Sequence, residues 1–184
     1  MRSFSRASRV VVGVSLASVA MAAVPSAIWL DVPFVKQQKD GCGAACISMV
    51  IEYWARNGSR TPRVSADADV IQEALYSKEA KGILGSAMKR YFEQAGFRAF
   101  VFGGEWTDLS QHLLKGRPLI VCLRPSPSAP LHYVVLAGFD SGQGWVLVND
   151  PAQRKLLKLD RAAFEKGWKA AQNWTLLALP RQDD

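Results

Sequence analysis

Cysteine and histidine are scarce in this chain: its 184 residues include three Cys (Cys42, Cys46 and Cys122) and two His (His112 and His132). So few cysteines cannot knit a disulfide scaffold, and a hydrophobic core has to hold the fold. No GxxxxGK[ST] phosphate loop occurs, and no apolar run reaches the roughly 20 residues that a spanning helix needs. A transporter and a P-loop ATPase are thereby excluded. Acidic residues are missing before Asp31 and are outnumbered overall, 16 against 23 Lys and Arg. Three of the basic residues are Arg2, Arg6 and Arg9; the others, such as Lys36, Arg63, Lys89 and Lys158, are scattered and never interleave with aromatics in one stripe. Such a surface is mildly basic and solvated, and nucleic-acid binding is not expected of it.

What is present is an ordinary globular composition, 49% hydrophobic and 21% charged, of a length suited to one domain. The first nine residues, MRSFSRASR, precede an apolar, small-residue stretch from Val10 to Val24, which Pro25 ends. That order predicts a secretory signal over residues 1–27, with small residues for cleavage at Ala20-Met21-Ala22 or Val24-Pro25-Ser26. The expected product is an exported domain, residues 28–184, periplasmic or secreted. It would meet the membrane only if the signal stayed uncleaved.

Along that domain, Leu30 to Val35 reads as an extended lead-in. Cys42 to Asn57 is an apolar helix with Gly58 as its left-handed stop, and a short helix follows near Ala68 to Leu75. Ile83, Met88, Tyr91, Phe92 and Ala95 mark a further amphipathic helix, ended by Gly96. The period then changes. Strands are expected at Phe97–Phe102, Pro118–Leu123, Leu131–Phe139, Trp145–Asn149, Lys155–Leu159 and Trp174–Leu179, with short helices starting at Thr107–Asp108 and at Asp160. Helices first and a mostly antiparallel sheet afterwards define an α+β fold, with the first helix packed on the sheet.

Cys42 lies between Gly41 and Gly43 at the start of its helix, where unpaired amides and the helix dipole suit an anionic sulfur. A cysteine nucleophile also needs a base. His112 falls within a short amphipathic helix and reads as solvent-facing or satisfied. His132 instead opens an apolar strand after the proline-bearing loop RPSPSAP. Because Leu131–Phe139 and Trp145–Asn149 would pair as a hairpin, the start of one lies opposite the end of the other, so His132 and Asp150 become neighbours. Nucleophile, base and orienting carboxylate are then all present. Gln37 could donate its amide, with the Cys42 backbone N–H, to an oxyanion, and Gln38 is its rival. Cys46 and Cys122 read as core residues, and a Cys46–Cys122 disulfide would leave Cys42 free. Cys42, Cys46 and His132 are an incomplete zinc set, so neither metal nor organic cofactor is expected. Trp106, after Gly103 and Gly104, is a candidate groove residue.

The run VPFVKQQKDGCGAACISMV, followed by LHYVVLAGFD and then VLVNDPA, resembles the bacteriocin-processing peptidases and their wider kin, which are papain-like cysteine peptidases. The resemblance extends from Val32 to about Leu179. It implies a papain-like fold, a peptide or protein substrate, Cys42 as nucleophile, His132 as base, Asp150 as orienting carboxylate and Gln37 as oxyanion donor. In the leader-cleaving members the Asp directly precedes the Cys, whereas Gly41 intervenes here. Their leader-peptide substrate is not carried over, because this chain is expected to be exported and holds no transporter. Peptide hydrolysis through a thioester is the expected activity. Acyl transfer to an amine, and a non-catalytic peptide-binding module, are the alternatives that the residues leave open.

Overall fold

The computed structural model describes residues 25–59 and 63–181, so the expected export signal lies almost wholly outside the described residues. The first element is a short strand, β1 (Ala27–Trp29), which was not expected from the sequence. An extended lead-in follows it to α1 (Cys42–Arg56), which Gly58 stops at a φ of 82°. Then come α2 (Ala68–Leu75), a tiny hairpin of β2 (Tyr76–Ser77) and β3 (Gly82–Ile83), and α3 (Gly85–Gln94). The second half comprises β4 (Phe97–Gly103), α4 (Trp106–Leu114), β5 (Leu119–Leu123), β6 (His132–Asp140) and β7 (Trp145–Asn149). It ends with β8 (Leu157–Asp160), α5 (Arg161–Lys169) and β9 (Trp174–Pro180).

Each strand pairing is antiparallel, and the main sheet runs β4-β9-β5-β6-β7-β8. β1 joins this sheet on β6, with Trp29 opposite Gly138 and Ala27 opposite Asp140. The α+β expectation holds. The strand expected at Lys155–Leu159 begins two residues later, because Leu156 takes a positive φ of 49°. The hydroxyl and indole of adjacent aromatics tie α1 to the rest of the fold: Tyr53 donates to the Gly116 carbonyl (2.8 Å) and Trp54 to the Ala178 carbonyl (3.0 Å).

The core follows from the residue pattern. Ala44 to Ile51 are wholly buried along α1, and all five residues of β5 are buried, as a strand covered on both faces requires. α1 packs on β6 and β5, while α4 packs on β1, β5 and β6, and α5 on β5, β7 and β8. Trp106 belongs to that second helical layer. Its ring lies edge-on to Phe139 and Phe164, with the Arg161 guanidinium over it at 4.2 Å, so it is a packing residue and lines no groove beside Cys42. Cys46 and Cys122 are buried as expected, and both are free thiols. No helix among the described residues is long and apolar enough to cross a membrane.

Candidate active site

α1 sets the position of Cys42. Its N-cap, Gly41, offers no side-chain cap, its first turn holds no acidic residue, and the chain reaches it through Asp40 at a φ of 56°. The first amides of the helix therefore keep no intrahelical partner and concentrate partial positive charge at Cys42. Gly43 allows the approach of the neighbouring hairpin, since a Cβ there would lie 3.0 Å from the Cβ of Ile83.

β6 sets the position of His132, its first residue, and β7 ends one residue before Asp150. Antiparallel pairing of these strands runs from Asp140–Trp145 back to Val135–Asn149 and so brings the two side chains together. His132 Nε2 donates to Asp150 Oδ1 at 2.8 Å. The Cys42 side chain is the ring's second influence, since it too favours the charged imidazolium. Burial alone would lower the His132 pKa, but Asp150, and after it Cys42, outweigh burial and raise the pKa to about 9. Asp150 is similarly contested. Burial pushes its carboxyl up, while His132, the Ala152 N–H (2.9 Å) and the Gln153 side-chain amide (2.7 Å) draw it below the ordinary carboxylate value.

Gln37 and Gln38 separate clearly. Gln38 is exposed, whereas Gln37 is half-buried and its backbone N–H donates to the Pro151 carbonyl at 3.0 Å. Gln37 Oε1 is enclosed without a partner among the described residues. An inward-turned oxygen leaves the amide NH₂ as the end able to face a ligand. His112 stands apart on α4, near Phe102, with Nδ1 enclosed and unpartnered among the described residues. Burial, then Arg117 and Lys115, depress its pKa, and the ring is part-exposed at the surface, one of the two readings expected from the sequence.

Two residues next to Asp150 were not foreseen. Gln153 binds the carboxylate oxygen that His132 leaves free, and buried Asn149 ties β7 to the lead-in. An Asn-Asp-Pro sequence at a strand end reads as a turn, and only the contact with a distant lead-in reveals the role of its first residue.

A cysteine at a buried helix start, with a histidine–aspartate pair on an antiparallel sheet behind it, is the architecture of the papain-like cysteine peptidases. The chain belongs to the Peptidase_C39 like family, whose model matches residues 29–175. Among solved structures it is similar to a putative C39-like peptidase from Bacillus anthracis, with 18% identity and a TM-score of 0.63, covering 85% of this chain and 99% of that one. It is also similar to the peptidase domain of Streptococcus ComA, a bi-functional ABC transporter involved in a quorum-sensing pathway (16% identity, TM-score 0.62, 80% and 97% covered). A third is a double glycine motif protease from an AMS/PCAT transporter, in complex with the leader peptide (19% identity, TM-score 0.62, 83% and 94% covered). At these identities the likeness concerns the fold. Among curated proteins, none significantly matches the chain's sequence.

Proposed function

We propose that this protein is an exported cysteine peptidase that cleaves peptide bonds through Cys42, His132 and Asp150. The observation that carries the reading is one imidazole hydrogen-bonded to a buried carboxylate, with a cysteine at a helix N-terminus near enough to favour its charged form. His132 accepts the thiol proton, and Asp150 holds the resulting imidazolium in place. Cys42 sulfur attacks the peptide carbonyl, and the oxyanion is met by the Cys42 N–H and the Gln37 amide. His132 then gives its proton to the leaving amine, and the thioester that remains is opened by water as the neutral imidazole takes a proton from it. A peptide substrate is in keeping with the relative that was crystallised with its leader peptide. Export rests on the arginine-led apolar stretch before Pro25, and N-terminal sequencing of secreted protein should start after it.

The test needs no natural substrate at first. Iodoacetamide should label Cys42 at pH 6 to 7 faster in the native protein than in His132→Ala, with mass spectrometry separating it from Cys46 and Cys122. Equal rates would sink the pair. On a fluorogenic peptide library, Cys42→Ala and His132→Ala should each lower turnover by roughly a thousandfold or more without unfolding, while His112→Ala should not.

A further inference from the structure

Asn149 is completely buried, yet each of its polar atoms has work in the fold. Its side-chain NH₂ donates to the carbonyls of Val32 and Pro33, both at 3.1 Å, and its Oδ1 accepts the Leu156 N–H at 2.9 Å. The lead-in needs such a partner. It leaves the sheet after Leu30, whose N–H donates to the Ala137 carbonyl (2.7 Å), and Pro33 has no N–H with which to continue a ladder. From there to the start of α1, the bonds from Asn149 and the one from Gln37 N–H to the Pro151 carbonyl fasten the lead-in to the end of β7. The exposed pair Lys155–Asp31 adds little.

We propose that Asn149 is a positioning residue for catalysis, holding the Gln37 amide in register with the Cys42–His132 pair; the proposal rests on the peptidase reading above. The other members of the site are secured without it. Cys42 is fixed by the buried face of α1, and Asp150 by three donors of its own. Gln37 has one backbone bond, to the Pro151 carbonyl, and otherwise depends on the lead-in that Asn149 fastens, so loss of the Asn149 amide loosens the oxyanion side more than the other members.

Two small reagents separate these roles. Iodoacetamide alkylates Cys42 by displacing iodide and places no charge on a carbonyl oxygen. With p-nitrophenyl acetate, the sulfur–acyl bond forms and the ester C–O bond breaks to release p-nitrophenolate, and the carbonyl oxygen carries negative charge on the way. Asn149→Ala should slow Cys42 acetylation by about tenfold or more, with alkylation held within about twofold. In a Gln37→Ala background, Asn149→Ala should add no further loss of acetylation. Both reactions falling together, losses that multiply in the double variant, or no change at all would each make Asn149 a mere packing residue and overturn the proposal. Asn149→Ser refills part of the space but falls short of the carbonyls; it answers the same question if circular dichroism shows the alanine variant unfolded. A native protein whose Cys42 reacts with neither reagent faster than in urea would defeat the peptidase reading itself, a result distinct from any change confined to the variants.

Discussion

His132 is hydrogen-bonded to the Asp150 carboxylate, and the pH dependence of the protein should register this directly. Its pKa in the fold, about 9, lies above the ordinary 6.5, so its bonded cation stabilises the folded state fully below about pH 6.5. That stabilisation fades as pH rises through 9. Chemical denaturation of the native protein against His132→Gln should show a gap of about 3 kcal/mol at pH 6, closing by pH 10. Asp150 has the opposite sign. Its folded pKa is below the ordinary 3.8, so its contribution is present above that value and is lost as acid takes the pH through the lower one. Asp150→Asn should therefore remove part of the native protein's acid sensitivity below pH 4.

At the level of elements, the close approach of β1 to β6 depends on a missing side chain. A Cβ at Gly138 would lie 2.4 Å from the Ile28 carbonyl oxygen, which is backbone and cannot swing aside. Gly138→Ala should push β1 off the sheet and lower stability by about 1–3 kcal/mol, measured as a fall in the denaturation midpoint. Gly138 also sits at the register shift between Leu136 and Gly138, where one extra residue bends the strand. None of this could be read from the sequence. The elements that could be read were those with a long pattern: the apolar run of α1, the hairpin of β6 and β7, and the N-cap Asp160, whose carboxylate accepts the Ala163 N–H at 2.9 Å. β1, β2 and β3 are two or three residues long and have no period to detect. His132 and Asp150 were legible because hairpin pairing is a local rule. The placement of Gln37 was not, since it depends on a left-handed Asp40 and on a bond to Pro151 from the far end of the chain.

For the molecule as a whole, the three thiols report on different depths of opening. Burial pushes Cys46 well above the usual thiol range and Cys122 to about 11, and Cys42 is the one thiol that is part-exposed. Limited alkylation near neutral pH should therefore modify one cysteine per native chain. The other two should follow only as fast as the fold opens, so their labelling rate should track global unfolding in a denaturant series. Labelling of Cys122 at the rate of Cys42 would show that the β5 region opens locally.

The bond from Asn149 to Val32 joins residues 117 positions apart, and β1 closes onto β6 over a similar span. Contacts of such range form late, because the loop between them must be closed before they reward it. A chain emerging from its amino end displays the cysteine early but cannot assemble its partners until β7 has followed. In the proposed reading, Cys42 therefore stands without His132 and Asp150 until β6 and β7 have been made, and chain order alone delays assembly of the site during synthesis.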